Sequence, residues 1–513
     1  MKTLFVFLVG LIAFSSSAPA QTARPGKLTE IQRPADRSRG VAAARPRQRK
    51  PSASVSAQSA VSTEMNANTV TVVAGTPGGT YYRAAGDLAF VLDGEHLRVL
   101  PVLGKGAGQN VYDIRFLRGV DLGFVRLDTL EQFRKDKRIV DPERNITYVA
   151  RLFNDELHVI AARDITDIRQ LAGKRVSFDV RGSGTDYTGR SMFNGLGIVV
   201  ETINVDQPTA LDLLKRGELS AVVSVAAKPV DVLTNFQGGD RFHLLSVPYV
   251  HTVADKYFPA ALRHEDYPRL IAAGNTINTL AVGTVLGAFN WPEKSERYKR
   301  IARFVDAFFS KFDNFLAPSR HPKWNEVNLT AEVPGWKRFP AAQQWLQSRM
   351  DEPTATGSVT GVQREWVNRE RKRVDNLDHR HLERTPSAEP GLSRTEPGPG
   401  LPTSAPSNED RLLARADTLL QAGDISGARR ILEYASEPSG VAAFKLAETY
   451  DPRQLAQWPV RGVQGDWSKS QALYGRALEA GIAQASQRIC HTGSHHEQTA
   501  ASASLSCGIG ETQ

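Results

Sequence analysis

Cysteine is nearly absent from this 513-residue chain: the only two, Cys490 and Cys507, lie within the last 24 residues. The rest of the chain therefore has no disulfide framework, no thiol nucleophile and no cysteine ligand for a metal. Long hydrophobic runs are also missing, which excludes a polytopic membrane protein. Hydrophobic residues make up 41% and charged residues 23% of the chain, and these ordinary values exclude a wholly disordered or collagenous protein.

The excess of positive charge is confined to one short segment. The chain has 64 Lys and Arg against 55 Asp and Glu, a net charge of +9. The segment from Arg24 to Lys50 contains nine basic residues and only two acidic ones, Glu30 and Asp36. Because the remainder of the chain is close to neutral, the charge belongs to a tail, and we expect no nucleic acid among the partners.

The first twenty residues have the pattern of a secretory signal. Met1 and Lys2 supply a positive start, residues 4–14 form an eleven-residue apolar run, and Ala-Pro-Ala follows at 18–20. As a helix, that run would span only about half of a hydrocarbon core of ~30 Å, which disfavours an uncleaved anchor. We therefore expect a mature protein that begins near Gln21 and lies in the periplasm.

Short apolar strands alternate with helical patterns from residue 69 onward. Strands are predicted at TVTVVAG (69–75), LRVLPVLG (97–104), ITYVARLF (146–153), ELHVIAAR (156–163) and KRVSFDV (174–180). This alternation predicts an α/β fold with a largely parallel sheet. Such a sheet binds its ligands at the carboxyl ends of the strands, beside the helix N-termini.

Composition divides the whole chain into six segments. These are a signal peptide (1–20), a basic disordered segment (21–67), an α/β domain (68–350), a Pro-rich linker (351–410), a helical region (411–489) and a flexible tail (490–513). The linker is extended because prolines recur through it.

Three glycine-rich turns, each between a predicted strand and helix, form the candidate site: GTPGGT (75–80), GKGAG (104–108) and RGSGT (181–185). The first is no Walker A loop, because no Gly-Lys-Ser/Thr follows. Arg181 replaces the first glycine of a G-x-S-x-G nucleophile elbow, so Ser183 is expected to donate a hydrogen bond rather than attack a substrate. Turns of this kind without an acid–base pair predict a site that holds an anion without transforming it. The alternative is three purely structural turns.

The same segments resemble the TAXI family, the extracytoplasmic solute receptors of TRAP transporters. The resemblance is carried by TVVAGTPGGTYYRAAGDLAF, by RVLPVLGKGAGQNVYDIRFLRGVDLGFVRLDTL and by LAGKRVSFDVRGSGTDYTGRSMFNGLGI. It implies a two-lobed, hinge-closing fold of the type II periplasmic-binding-protein kind. One lobe would comprise about 68–160 and 246–350, and the other about 161–245. It also implies a small organic anion as ligand, such as glutamate, a 2-oxo acid or a dicarboxylate, and TRAP membrane subunits as partners.

Carried over by position, the resemblance places the ligand against the three turns and the end of the D-L-G-F-V-R strand. The residues are Thr76, Gly79, Thr80, Tyr81, Gly106, Gln109, Arg126, Asp128, Ser183, Gly184 and Thr185. Arg126 departs from the family, in which a small or amide residue commonly follows D-L-G-F-V. It is either a carboxylate clamp or part of a salt bridge on the lobe surface. The resemblance implies no cofactor, no metal and no catalytic residue.

The helical region 411–489 resembles SEL-type tetratricopeptide-like repeats. Small residues such as Ala443, Ala447 and Ala477 let paired helices pack closely. Because a Pro-rich linker precedes these helices, we expect an independent module that docks onto a cell-envelope protein; the alternative is that they pack on the lobes.

Two functions are compatible with these features. The first is an extracytoplasmic solute-binding protein that serves a transporter. The second is a periplasmic ligand-sensing scaffold or regulator that acts through the C-terminal repeats. An enzyme, such as a hydrolase, is disfavoured because the sequence has no recognisable nucleophile–base pair or metal constellation.

Overall fold

The computed structural model describes residues 53–489, except 136, 138 and 352–406. The predicted signal peptide, most of the basic segment and of the linker, and the tail with both cysteines lie outside the described residues. In the part described, no helix combines the length and the apolar character needed to cross a bilayer.

Ten strands of the described chain form one mixed sheet in the order β2-β1-β3-β10-β4-β7-β5-β6, with β8 paired to β4 and β9 to β10. The strands are β1 (Thr69–Val73), β2 (Arg98–Val102), β3 (Leu122–Arg126), β4 (Ile146–Ala162), β5 (Arg175–Ser177), β6 (Glu201–Ile203), β7 (Ala221–Ala226), β8 (Phe242–Leu244), β9 (Phe258–Arg263) and β10 (Thr276–Phe289).

The described helices fall into two groups, one before the linker and one after it. Those up to the linker are α1 (Ala53–Asn68), α2 (Thr80–Leu92), α3 (Ala107–Phe116), α4 (Leu127–Lys135), α5 (Pro142–Asn145), α6 (Gly184–Gly195), α7 (Gln207–Lys215), α8 (Asp231–Thr234), α9 (His251–Ala254), α10 (Glu296–Ser310) and α11 (Pro340–Asp351). The C-terminal helices are α12 (Asn408–Gln421), α13 (Ile425–Ala435), α14 (Gly440–Tyr450), α15 (Pro452–Leu455), α16 (Trp467–Glu479) and α17 (Gln484–Ile489). Short 3₁₀ turns lie at Ile168–Leu171, Gly239–Arg241, Phe312–Leu316 and Pro322–Glu326.

Helix α1 covers the end of the segment that was expected to be disordered. Its last carbonyl groups are satisfied from α10: Arg300 donates to the Asn66 carbonyl at 2.7 Å, and Arg303 donates to the Ala67 carbonyl. Cations at a helix C-terminus stabilise it by occupying carbonyl groups that have no partner within the helix. Composition alone could not reveal these partners, because they come from a distant helix.

The sheet is parallel at its two ends and antiparallel at its centre. Strand β1 pairs in parallel with β2 and β3, and β5 pairs in parallel with β6 and β7. The long strands β4 and β10 join these halves, antiparallel to each other and to their other neighbours. The α/β fold class is confirmed, but the expected largely parallel sheet is wrong at the centre. There, β4 continues through the polar residues 154–156, where the sequence pattern suggested two strands.

Two hydrophobic cores divide the sheet into two lobes, as in periplasmic-binding-protein-like domains. Phe124 and Phe153 belong to the core of the first lobe, while Leu157 and Phe178 belong to that of the second. Strand β4 thus leaves one core at Phe153 and enters the other at Leu157. The three residues between them form the crossing point of the lobes.

The C-terminal helices pack against the α/β domain. Phe258 and Ala281 of the sheet share one core with Ala416 of α12 and Leu432 of α13. The independent module that was expected is therefore wrong, and the alternative, packing on the lobes, is what the structure has. The physical reason for this packing is that the helices cover an apolar face of the sheet and supply partners for several buried charges.

Glu156 of β4 joins three parts of the chain through its buried carboxylate. It accepts from the Lys323 ammonium at 2.5 Å, from the Arg430 guanidinium of α13 at 3.3 Å, and from the Lys228 amide at 3.0 Å. Glu326 lies 2.8 Å from both Lys323 and Arg430 and completes the network. A buried carboxylate needs such partners, since an unpaired buried charge is strongly destabilising.

Further buried contacts fix the helices to the same strand and to both lobes. Arg151 of β4 is 3.1 Å from the Asp424 carboxylate, which caps α13. Asn328, in the first lobe, donates to the Gly423 carbonyl at 2.8 Å. Arg415 of α12 donates at 3.0 Å to the carbonyl of Tyr257, whose side chain lies in the second core. The C-terminal helices therefore bridge the lobes. Their assignment to SEL-type repeats stays a prediction.

The charge network generates the first testable prediction. The substitution Arg430→Met should lower the free energy of unfolding by roughly 3–5 kcal/mol, because Glu156 and Glu326 would then share only Lys323. Urea denaturation of the full chain would measure the change. The matched control is Lys445→Met, which breaks a more exposed pair with Asp417 and should cost no more than about 1 kcal/mol. Equal effects of the two substitutions would contradict a structural role for the α13 contact.

Candidate ligand-binding site

A cavity of about 60 Å³ lies between the lobes, where the glycine-rich turns meet. Eight of the eleven residues suggested by sequence line it: Thr76, Gly79, Thr80, Tyr81, Gly106, Arg126, Gly184 and Thr185. Its walls come from both lobes, and its size suits a small metabolite rather than a drug-sized molecule.

Three helices begin at this cavity because glycines bend the chain directly before or at their first turns. Gly78 has φ +76° and Gly106 has φ +96°, a left-handed conformation that favours glycine over other residues. Helices α2, α3 and α6 start immediately afterwards, at Thr80, Ala107 and Gly184. The first N–H groups of a helix lack partners within it and carry partial positive charge, so these three starts favour an anion.

Arg126 is the only arginine on the described wall of the cavity, and it is 3% exposed. Its Nε is 2.6 Å from the Asp155 carboxylate and its Nη2 donates to the Val225 carbonyl. Its Nη1 has no hydrogen-bond partner. Burial lowers the pKa of Arg126, but Tyr81 and Asp155 raise it above its ordinary value, so the guanidinium stays charged. Arg126 is therefore part of a buried salt bridge rather than one on the lobe surface, and its role as a carboxylate clamp stays a prediction.

Asp155 holds Arg126 in place and is itself held from two sides. The hydroxyl group of Tyr81 donates to its Oδ2, and the hydroxyl group of Thr284 donates to the same oxygen at 3.0 Å. Burial raises the pKa of Tyr81 well above its ordinary value, so its hydroxyl stays a donor. The sequence-based prediction missed Asp155. The available signal was a polar Asn-Asp-Glu run within an otherwise apolar strand.

Asp179 is a second acidic residue of the site that the sequence-based prediction missed. It lines the cavity, is 5% exposed, and has φ +64°, an uncommon conformation for a residue with a side chain. Its Oδ1 has no hydrogen-bond partner. Burial raises the pKa of Asp179 to about 6, although the Val180 amide and the Ser183 hydroxyl oppose that shift.

Three of the suggested residues are not on the wall of this cavity. Gln109 donates at 3.0 Å to a carboxylate of its own helix, α3. Ser183 caps α6 by accepting from the Asp186 amide at 3.1 Å. Asp128 accepts from Thr188 at 3.2 Å and faces a separate, larger cleft. Their hydrogen bonds are thus used within the protein.

Direct hydrogen bonds join the lobes at the edge of the cavity. The Thr80 hydroxyl donates to the Ala227 carbonyl at 2.6 Å, and the Gly184 amide donates to the Lys105 carbonyl at 3.3 Å. The lobes are therefore in direct contact beside the cavity. Within the described residues, no group of three or more His, Cys, Asp or Glu side chains is arranged to hold a metal ion.

The raised pKa of Asp179 generates the second prediction. Its folded pKa of about 6 exceeds the unfolded value of ~3.9, so the stability it contributes is present below pH 4 and is lost as pH rises through 6. Asp179→Asn should therefore raise the free energy of unfolding at pH 7.5 by up to about 3 kcal/mol, and by far less at pH 4. Denaturation at both pH values would measure this. The exposed control Asp212→Asn should show no such pH-dependent gain.

Comparison with known proteins finds one matching family model and several similar solved structures for this part of the chain. Residues 72–288 match the model of the NMT1-like family. A solved "periplasmic transporter" structure is 15% identical, with a TM-score of 0.33, over 48% of this chain and 84% of its own. The regulatory domain of CcmR from Synechocystis PCC6803, solved with 2-PG, is 13% identical, with a TM-score of 0.29, over 47% and 96%.

TM-scores of this size are too low to carry a conclusion on function. The matched segment 72–288 nevertheless contains the three glycine-rich turns, Arg126 and Asp179. The family match therefore includes most of the candidate site, and the cavity at that site supports a small-molecule-binding protein.

Proposed function

We propose that this protein is an extracytoplasmic solute-binding protein that captures a small organic carboxylate between its lobes without transforming it. The observation that carries the proposal is the buried, charged Arg126, whose Nη1 has no partner although the residue lines the cavity. An arginine offers a carboxylate strong, charge-assisted hydrogen bonds. We expect Nη1, the guanidinium nitrogen without a partner, to take that role.

The remainder of the cavity wall supports the same choice of ligand. Three helix N-termini add partial positive charge, and the small volume of about 60 Å³ disfavours large molecules. Glutamate, a 2-oxo acid or a dicarboxylate, the ligands implied by the resemblance to TAXI receptors, all carry the required carboxylate. On this proposal the receptor delivers its solute to the membrane subunits of a TRAP-type transporter from the periplasm.

A second candidate function, ligand sensing, is favoured by a specific set of contacts. Asp155 orients Arg126, while its neighbours on β4 reach the C-terminal helices: Asn154 donates to Ser426 at 3.3 Å, and Glu156 pairs with Arg430. A change in the angle between the lobes on ligand binding would therefore alter the contacts of β4 with α13. A scaffold or regulator could pass that change to a cell-envelope partner.

The proposed site generates the third prediction, on Gly184→Ala. A Cβ atom at Gly184 would overlap the Nη1 of Arg126, so the substitution should displace the guanidinium and weaken carboxylate binding about tenfold or more. The helix itself should be retained, because alanine is compatible with a helix. Calorimetric titration of the full chain with glutamate, 2-oxoglutarate and succinate would measure this.

The control for this substitution is Gly86→Ala, also in a helix, where no heavy atom lies within 4 Å of the added Cβ. It should leave the affinity unchanged. Unchanged affinity in the Gly184→Ala protein would place the carboxylate site elsewhere.

The sensing function generates the fourth prediction. If ligand binding alters the contacts of β4 with α13, the tightest-binding acid of that panel should change the hydrogen exchange of the amides in Ile425–Ala435. No residue of helix α10 lines the cavity, and we expect its exchange rates to stay unchanged. Exchange rates in α13 that are the same with and without the acid would leave only the transport function.

A further inference from the structure

We infer that the captured carboxylate also carries a hydrogen-bond donor, an ammonium or hydroxyl group, and that Asp179 is the residue that selects it. This inference rests on the proposed function and narrows its ligand class. It disfavours 2-oxo acids, which offer only an acceptor beyond their carboxylate groups, and unsubstituted acids, which offer neither an acceptor nor a donor there.

Unsatisfied acceptors on the second lobe are the first observation. The Oδ1 of Asp179 and the Oε1 of Gln207 are buried and have no hydrogen-bond partner, and both residues line the cavity. The amide nitrogen of Gln207 donates one of its two hydrogens to the Val223 carbonyl at 2.9 Å, and the oxygen of the same amide is the acceptor without a partner. Because buried polar atoms in native proteins are rarely without partners, these two acceptors require donors.

The backbone holds Asp179 in this position at a cost. Its left-handed conformation, φ +64°, is uncommon for a residue with a side chain, and such strain persists only where surrounding contacts impose it. The Nδ2 of Asn204 donates to the Asp179 carbonyl at 2.9 Å and to Asp186 at 3.2 Å, and so ties the residue to the start of α6. Asp179 is thus held on the cavity wall and largely away from solvent.

The charges around the cavity favour the same ligand. Arg126 is partly neutralised by Asp155, to which it is bound at 2.6 Å. A second acidic group near Asp179, Asp206, is at the start of α7. Arg126 and Lys105 also lie on the cavity wall, but a ligand that brought only negative charge would add to the repulsion at Asp179 and leave its Oδ1 without a donor. An ammonium or hydroxyl group would instead satisfy Asp179 and Gln207, while Nη1 of Arg126 receives the carboxylate.

Two matched sets of acids test the inference. The three-carbon set is propionate, pyruvate, lactate and alanine, and the five-carbon set is glutarate, 2-oxoglutarate, 2-hydroxyglutarate and glutamate. Within each set the size is nearly constant and the group beside the carboxylate changes from none to an acceptor, a hydroxyl or an ammonium. Calorimetric titration of the full chain at pH 7.5 should give tighter binding, about tenfold or more, for the donor-bearing acids of at least one set.

The variant Asp179→Asn should reduce this preference to a few-fold, because the amide has no charge and can itself donate. Gln207→Leu, which removes the second acceptor, should weaken the preference less and provides a second variant if the first does not fold. Asp212→Asn should preserve it. Thermal melting of each variant checks that the fold is retained.

A preference of the unmodified protein for glutamate over 2-hydroxyglutarate identifies the donor as an ammonium group, and the reverse preference identifies a hydroxyl group.

Two results would overturn the inference while leaving the proposed function intact: tightest binding by 2-oxo or unsubstituted acids in both sets, or a full donor preference in Asp179→Asn. If no acid of either set binds, the proposed function itself fails, and the inference fails with it.

Discussion

The ion pair between Arg126 and Asp155 is the constraint on which the site depends. It joins the end of β3 to the middle of β4 at 2.6 Å, and both side chains are almost completely buried. Because Asp155 occupies the Nε of Arg126, the guanidinium is fixed with its Nη1 still without a partner. Removing either member would leave a buried charge uncompensated, which is far more costly than losing an exposed ion pair.

The same short stretch of β4 also explains why the C-terminal helices are part of the α/β domain. Side chains of successive strand residues point to opposite faces, so Asp155 faces Arg126 while Asn154 and Glu156 are free to contact Ser426 and Arg430. A strand buried along nearly its whole length must pair each of its charges. The ligand-binding side and the helical side of the protein therefore meet at three consecutive residues of β4. The same strand would serve both a receptor function and a sensing function.

The cavity combines opposite chemistry on its two lobes. The first lobe contributes the cation of Arg126 and the N-termini of α2 and α3, whereas the second contributes the acceptors of Asp179 and Gln207. Contact between the lobes brings these groups together, because the Thr80 hydroxyl reaches across to the Ala227 carbonyl. Specificity for a ligand with both a carboxylate and a donor would then depend on contact between the lobes, since the arginine and the acceptors without partners lie on different lobes.

Local patterns in the sequence determined the α/β class and the three turns, because glycine spacing and β-branched runs act over a few residues. The two-lobed organisation was suggested by the family resemblance. They also identified Arg126, which its position at a strand end made conspicuous. Tertiary structure alone decided that β4 is one continuous strand at the antiparallel centre of the sheet, that Asp155 and Asp179 belong to the site, and that the C-terminal helices pack on the lobes. Each of these depends on partners distant in sequence, such as Arg151 and Asp424, 273 residues apart. A buried charge can be recognised as structural only when the group that neutralises it is known, and that group is supplied by the fold.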